Sequence, residues 1–354
     1  MLERKKIFYL TGNYTFKMVL LLLFMNFGLA DTFAQNFKTI DTLNISGYHS
    51  KSKSYYEQTA HLNNDTLPDY CILLRDFETQ DDILLGKVLV FYGEENKHSL
   101  IPSVEIEGLY PLYQPSGGLN DMATGDLNND GLDEIVFGSI NTGISQLNRG
   151  YIAICFSDGH FFDTSNIVRI QGKSSYGSYG CTFFISDING DRIDDLIVGA
   201  RFDYFFEGQI FIYFGGNDFD TIADKILYYP GSYSFHLQHI CDLNADGIND
   251  IIARDNVNWR LDRFRLHIFF GGGKISDKPD YSLIIPDFSS SVIQDINNDG
   301  VSDIILHSDI SQNLYKIYYG NRHFNFKNPV DTVISSFHSI SRSANNFVIK
   351  FTAD

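Results

Sequence analysis

The chain has 354 residues, of which 44% are hydrophobic and 15% aromatic, so it holds enough apolar side chains for a large buried core. Its formal net charge of −17 argues against nucleic acid as a partner, because phosphate binding requires a basic surface. The lack of long helical periodicity, together with 29 glycines, predicts many short strands joined by tight turns.

The first 34 residues have the pattern of a secretory signal peptide. Residues 4–6 are basic, residues 18–29 form a largely apolar run, and residues 32–34 precede a cleavage position. The apolar run is shorter than the roughly 20 residues of a spanning helix, although a short membrane anchor is the alternative. We therefore predict cleavage near Ala34, which gives a secreted, periplasmic or cell-surface protein without a membrane span. The mature chain would carry a formal charge of −19, because the leader contributes +2.

An acidic nine-residue pattern, with oxygen-bearing side chains at alternate positions, occurs four times. The copies begin at Asp126, Asp187, Asp242 and Asp295, 53 to 61 residues apart, and each leads directly into an apolar run. A degenerate copy at residues 61–69 has lost its first carboxylate. Such regular spacing indicates a structural repeat.

Each copy predicts a calcium loop, because Ca²⁺ takes roughly six to eight oxygen ligands in a flexible shell. Side chains at positions 1, 3, 5 and 9 and the main-chain carbonyl at position 7 are the expected ligands, which gives about four Ca²⁺ sites. The predicted ligands are Asp126, Asn128, Asp130, Leu132, Glu134; Asp187, Asn189, Asp191, Ile193, Asp195; Asp242, Asn244, Asp246, Ile248, Asp250; and Asp295, Asn297, Asp299, Val301, Asp303. The weak copy adds Asn63, Asp65 and Asp69.

Helical calcium modules do not fit this pattern. An EF-hand places a ligand at its twelfth loop position and flanks the loop with helices, whereas that position is Phe137, Val198, Ala253 or Leu306 here. These residues lie in strand-like runs. We expect the loops to hold turns between strands and not to catalyse a reaction.

Four strands fit into each repeat. In the third repeat they are residues 182–186, 195–200, 208–215 and 225–228, and a further strand is predicted at residues 39–45. We therefore predict an all-β fold, a β-propeller of four-stranded antiparallel blades, with a flat solenoid as the alternative. The mature domain, residues 35–354, divides into units near 47–106, 107–170, 171–228, 229–285 and 286–334, with a partial unit at 335–354.

The third repeat resembles an FG-GAP repeat, the blade unit of integrin alpha-subunit propellers and of bacterial VCBS-type proteins. The resemblance rests on residues 177–180, 187–200 and 208–215 and extends over about residues 56–325. It implies a seven-bladed ring with the calcium loops opposite the ligand surface. Five loops are present here, and residues 347–354 resemble the strand of a sixth, so we expect an interrupted ring or a natural five-bladed one.

The third repeat departs from the family pattern at two positions. Arg201 stands where the family often has proline, and Arg192 stands where it has glycine. A glycine in place of Arg192 would permit a left-handed backbone, which arginine adopts only at an energetic cost. We expect weaker calcium binding by this loop.

Aromatic and basic side chains occur in two connections between second and third strands, on the side away from the acidic loops. They are Phe202, Tyr204, Trp259 and Arg260. We interpret them as a surface for a protein or glycan ligand, because aromatic rings beside arginines are common in binding sites. Packing against a neighbouring blade is the alternative.

No nucleophile elbow, zinc-protease motif, phosphate-binding loop or Cys-x-x-Cys pair is present, so we predict a non-enzymatic binding or adhesion module. The alternatives are a propeller within a polysaccharide-processing enzyme, with acidic residues 76, 81 and 82, or a non-functional fragment of a longer protein. The four cysteines lie in or beside apolar runs, which predicts buried thiols or at most one disulfide. They are Cys71, Cys155, Cys181 and Cys241.

Overall fold

The computed structural model describes fourteen segments of the chain. They are residues 55–75, 86–94, 101–108, 119–140, 149–159, 167–174, 177–202, 207–257, 263–286, 290–307, 314–324, 330–333, 337–343 and 346–351. The predicted signal peptide, the predicted strand at residues 39–45 and the acidic residues 76, 81 and 82 lie outside these segments. Within them, no helix is long and apolar enough to cross a membrane.

The described residues form an all-β structure with five sheets of four antiparallel strands, as predicted. Strands that follow one another along the chain are neighbours in each sheet. Sheet 1 contains β1 (Tyr55–Ala60), β2 (Asp69–Leu74), β3 (Lys87–Phe91) and β4 (Val104–Glu107). Sheet 2 contains β5 (Asp121–Gly125), β6 (Glu134–Ser139), β7 (Tyr151–Cys155) and β8 (Ile167–Gln171). Sheet 3 contains β9 (Tyr179–Ser186), β10 (Asp195–Ala200), β11 (Gln209–Tyr213) and β12 (Lys225–Leu227).

The last two complete sheets and a final hairpin follow the same antiparallel order. Sheet 4 contains β13 (Tyr233–Cys241), β14 (Asp250–Asn256), β15 (Arg263–Phe269) and β16 (Tyr281–Pro286). Sheet 5 contains β17 (Ser290–Gln294), β18 (Asp303–His307), β19 (Leu314–Tyr318) and β20 (Val330–Val333). A two-stranded sheet pairs β21 (Phe337–Ser343) with β22 (Asn346–Phe351). The sequence pattern predicted a strand in the region of β22 but none at β21.

The middle strands of sheets 2, 3 and 4 are apolar on both faces because each of these sheets packs between two others. In β6, Ile135 and Phe137 belong to the core shared with sheet 1, and Val136 belongs to the core shared with sheet 3. This division follows from the two-residue period of a strand. The same arrangement joins sheets 3 and 4 and sheets 4 and 5, so the sheets stack in chain order like propeller blades.

The four cysteines are free thiols, as the apolar sequence around them indicated. Cys71 and Cys155 lie in the core between sheets 1 and 2. Burial raises the pKa of Cys155 and of Cys241 to about 12, so these thiols stay protonated at neutral pH. They act as small core side chains.

Candidate metal centres

The acidic loops all lie between the first and second strands of their sheets. The third loop follows β9, which ends at Ser186, and its ninth position, Asp195, is the first residue of β10. Glu134, Asp250 and Asp303 likewise begin the second strands of sheets 2, 4 and 5. The repeated strand order therefore brings the loops to the same edge of successive sheets.

The aspartate at the first position holds the turn of each loop together by accepting main-chain hydrogen bonds. Asp187 accepts through Oδ1 from Gly190 at 2.7 Å and from Asn189 at 3.2 Å, and through Oδ2 from Arg192 at 2.8 Å. Asp242 accepts from Ala245 at 2.7 Å and from Gly247 at 2.9 Å. The loop backbone is therefore wrapped around a carboxylate.

Asparagine and aspartate at the third and fifth positions lie side by side. In the third loop the amide nitrogen of Asn189 donates to Asp191 at 3.0 Å, and the Asn189 side-chain oxygen accepts from the Asp191 main chain at 2.8 Å. The asparagine-to-aspartate side-chain bond recurs in the other three full loops, between Asn128 and Asp130, Asn244 and Asp246, and Asn297 and Asp299. The seventh residue then donates its main-chain N–H to the fifth aspartate, as Ile193 does to Asp191 at 2.9 Å.

The sixth position requires a left-handed backbone. The φ angle there is 88° at Gly131, 86° at Gly247 and 87° at Gly300, and it is 72° at Arg192. Arginine pays a steric cost in this region because it carries a Cβ atom. The backbone of the third loop is therefore strained at Arg192, as expected, and weaker calcium binding by this loop remains a prediction.

The carboxylate at the ninth position is fully buried in all five sheets, and in sheets 1, 3, 4 and 5 it connects the loop to the residues that follow the third strand. Asp195 accepts from the main chain of Ile188 at 3.0 Å and of Gly215 at 2.9 Å. Asp250 accepts in the same way from Leu243 and Gly271, both at 2.9 Å. The equivalent carboxylates are Asp303, with Ile296 and Gly320, and Asp69, with Leu62 and Gly93.

Glycine is required where the third strand meets this carboxylate. A Cβ atom on Gly215 would stand 2.1 Å from the main-chain oxygen of Asp194, and one on Gly271 would stand 2.3 Å from that of Asn249. Both contacts are with main-chain atoms, which cannot rotate away. The glycine that follows the third strand therefore has a steric origin.

In sheet 2 the contact between the ninth-position carboxylate and the end of the third strand involves different residues. Glu134 replaces aspartate at the ninth position, and Ser157 replaces the glycine. One Glu134 oxygen accepts from Leu127 at 2.8 Å, and the other, Oε1, is buried with no hydrogen-bond partner in the described chain. Burial, and then the charges of Asp130 and Asp126, raise the pKa of Glu134 to about 8, against the opposing effects of the main-chain N–H groups of Leu127 and Ser157. A buried carboxylate oxygen without a donor, beside two further carboxylates, fits a cation.

The other ninth-position carboxylates are in a similar electrostatic environment. Burial, together with the charges of the aspartates at positions 5 and 1, raises the pKa of Asp195 and of Asp250 to about 7, against the effect of the two main-chain hydrogen bonds. Keeping three negative charges in one loop is therefore unfavourable without a counter-ion. A divalent ion would remove this repulsion.

The predicted donors form a metal site only if amide and main-chain oxygens take part. Among the described residues, no three His, Cys, Asp or Glu side chains by themselves form a group that could hold a metal ion. The weak copy keeps the same turns without a first carboxylate, since Asp65 accepts from Leu67 at 2.7 Å and donates its main-chain N–H to Asn63 at 2.9 Å. The Ca²⁺ ligands remain a prediction in all five loops.

The loops also join neighbouring sheets. The main-chain oxygen at the second loop position accepts a hydrogen bond from the following sheet, at Leu127 from Gly216, at Ile188 from Gly272 and at Leu243 from Asn321, over 2.8 to 2.9 Å. In sheet 1 the Ser157 hydroxyl donates to the equivalent oxygen of Leu62. Sequence reasoning missed this connection.

The predicted ligand surface is described only at Phe202. The guanidinium carbon of Arg201 stands 5.2 Å from the centroid of that ring, and Phe202 is half-buried. Tyr204, Trp259 and Arg260 lie outside the described residues. The expected grouping of these four side chains therefore remains a prediction.

A buried polar cluster in sheet 4 was not predicted. Asp255 accepts from Arg265 at 2.7 and 3.0 Å and lies 3.1 Å from Nε2 of His267, whose Nδ1 is 2.8 Å from the hydroxyl of Ser282. An aspartate, a histidine and a serine are also in contact in a serine hydrolase, but there the two ring nitrogens have the opposite partners. His267 is moreover 0% exposed and lies against the rings of Tyr229 and Phe235. The cluster is therefore a packing contact between strands and not an open catalytic site. Alternating polar residues in β15 were its only sequence signal.

The sequence is similar to parts of two kinds of known protein. Phosphatidylinositol-glycan-specific phospholipase D of Mus musculus is 27% identical over 152 residues, which cover 41% of this chain and 18% of the relative. Integrin alpha-8 is 30% identical over 152 residues in Gallus gallus, covering 40% of this chain and 14% of the relative. In Homo sapiens it is 32% identical over 141 residues, covering 37% and 13%.

The predicted resemblance to integrin alpha chains is confirmed. The five four-stranded sheets fit such a repeat. The matched part is less than a fifth of the length of these relatives. No protein-family model matches the chain.

Proposed function

We propose that this protein is an exported, calcium-binding β-propeller that acts as a binding or adhesion module. The observation that carries the proposal is the set of fully buried ninth-position carboxylates, each preceded by further oxygen donors in the same loop. Glu134 supports it most strongly, because its Oε1 atom is buried without a donor in the described chain. Such a group is stable when a cation accompanies it.

Calcium would act as a structural ion in this proposal. It would be held by the carboxylates at positions 1, 5 and 9, the amide oxygen at position 3 and the main-chain oxygen at position 7. Because the ion would bind the folded loops and not the unfolded chain, it would stabilise the fold by mass action. Four ions would also reduce the formal charge of the mature chain from −19 to about −11.

The partner in this proposal is a protein or glycan that binds on the face opposite the acidic loops. The similarity to integrin alpha chains supports a protein ligand, and the Arg201 and Phe202 contact supports a surface on that face. We assign no catalytic step to this chain.

A propeller attached to an enzyme is the second candidate. The similarity to phosphatidylinositol-glycan-specific phospholipase D supports it, since the propeller could serve there as a non-catalytic part. Assays of phosphodiester and polysaccharide hydrolysis by the purified chain test the other form of this candidate, in which the propeller itself is catalytic. Turnover that survives mutation of the loops would favour the enzyme.

Thermal unfolding with and without Ca²⁺ tests the main proposal. We expect a higher melting temperature with calcium than with a chelator, and a smaller increase for Asp187→Asn. Asp218→Asn is the matched control, because Asp218 is exposed and lies outside the loops. Equal melting curves with calcium and with chelator would contradict calcium binding, and the mass of the exported chain would test cleavage near Ala34.

A further inference from the structure

Two arginines and a histidine meet at the ends of the strands away from the acidic loops. Arg201 directly follows β10, and His236 lies near the start of β13, five residues before the strand ends at Cys241. Arg254 in β14 lies directly opposite His236 in the strand pairing. We call Arg201, His236 and Arg254 the basic cluster.

Ser234 links the members of the basic cluster that come from sheets 3 and 4. The Nε atom of Arg201 donates to the Ser234 hydroxyl at 2.7 Å, and Nδ1 of His236 is 2.6 Å from the main-chain oxygen of Ser234. Ser234 is buried and has a φ angle of 62°, in the left-handed region. Its strained backbone brings the hydroxyl and the carbonyl to different side chains.

Arg254 is held in place by an aromatic ring. Its guanidinium carbon stands 3.9 Å from the centroid of the Phe264 ring, so the guanidinium is stacked and half-buried. A stacked guanidinium loses little further conformational freedom when it binds an anion. Arg201 is exposed and is accessible to a partner.

The positive charges of the basic cluster have no counter-ion in the described chain. Neither arginine forms an ion pair there, and the neighbouring carboxylate of Asp255 is already bound by Arg265 and His267. The nearby Glu207 accepts a hydrogen bond from the main chain of Gly231. Burial and the charge of Arg201 lower the pKa of Arg254, and burial with both arginine charges lowers that of His236 to about 4.

We propose that Arg201 and Arg254 together bind one carboxylate from an acidic side chain of a protein partner. The inference rests on the proposed function, in which this face carries the binding surface. A guanidinium pair suits a carboxylate because each group offers planar, paired N–H donors. A polyanion such as a sulfated glycan is disfavoured, because the chain as a whole carries a charge of −17.

Titration with N-acetyl-aspartate methylamide, followed by NMR at the imidazole of His236, tests the site. The neutral asparagine analogue, at the same ionic strength, is the matched control ligand. We expect saturable shifts with the aspartate compound alone, and at least tenfold weaker binding by Arg201→Gln and by Arg254→Gln. Arg169→Gln, at an exposed position of β8, should bind like the wild type.

The outcomes separate this inference from the proposed function. Equal shifts with both compounds, or unchanged binding by Arg254→Gln, would overturn the carboxylate site. Binding of heparin fragments that depends on Arg254, without binding of the aspartate compound, would overturn it in favour of a polyanion. The effect of calcium on the melting temperature of the same samples tells whether the proposed function stands when the site fails.

Discussion

The main-chain nitrogen of Gly272 in sheet 4 donates to the main-chain oxygen of Ile188 in the loop of sheet 3, over 2.8 Å. The preceding residue, Gly271, donates to Asp250 in the loop of its own sheet. Two adjacent main-chain groups thus attach one turn to two successive loops. The same arrangement recurs at Gly215 and Gly216 and at Gly320 and Asn321. Any ligand that orders one loop would therefore also stabilise its neighbour.

The close packing of the turn at Gly271 and Gly272 predicts that Gly271→Ala strongly destabilises the fold. The added Cβ atom would lie 2.3 Å from the main-chain oxygen of Asn249, so the turn must shift and weaken both hydrogen bonds. We expect a loss of about 2–3 kcal/mol in the free energy of unfolding, measured by urea denaturation. Gly273→Ala is the control, since nothing lies within 4 Å of its added Cβ atom. Equal effects of the two substitutions would contradict the junction.

Backbone strain at the third loop predicts that Arg192→Gly stabilises the protein. The φ angle of 72° costs arginine more than glycine, and the hydrogen bond from this residue to Asp187 is made by the main chain. We expect a gain of about 0.5–1 kcal/mol in the free energy of unfolding, after the entropy cost of glycine. Gly247→Ala, at the same position of the next loop, should lose stability by a similar amount. Stabilisation by both substitutions would argue against strain.

The partly buried carboxyl of Asp121 predicts a pH dependence that does not involve the loops. Burial raises its pKa to about 6, against the opposing effects of the Met122 main-chain N–H and of the Arg75 charge. Because the folded state binds this proton more tightly than the unfolded state, its contribution to stability is present below pH 4. That contribution is lost as the pH rises through about 6.

Asp121→Asn should therefore remove this dependence. Unfolding in chelator from pH 4 to 7 would show the wild type losing stability relative to the variant as the pH rises. Asp218→Asn, at an exposed position, should follow the wild type. A wild type that gains stability relative to Asp121→Asn over this range would show that the sign is wrong.

The strands and turns could be predicted because they depend on residues that are close together in the sequence. Alternating apolar residues and the acidic turns predicted the strands of sheet 3, and Asp195 was expected at the start of its second strand. The bond between Ile188 and Gly272 could not be predicted, because it depends on how one sheet packs on the next. The pairing of His236 with Arg254 could not be predicted from the sequence either, because an irregularity between Leu237 and His239 shifts the register of β13.

The most direct test of the account is the position and number of bound calcium ions. Crystals of the mature chain grown with Ca²⁺ should show an ion in each full loop, within about 2.3–2.6 Å of oxygens at positions 1, 3, 5, 7 and 9. A metal analysis of the dialysed protein should give about four ions per chain, and fewer for Asp187→Asn. Loops without an ion at saturating calcium, together with a metal content near zero, would contradict the central claim.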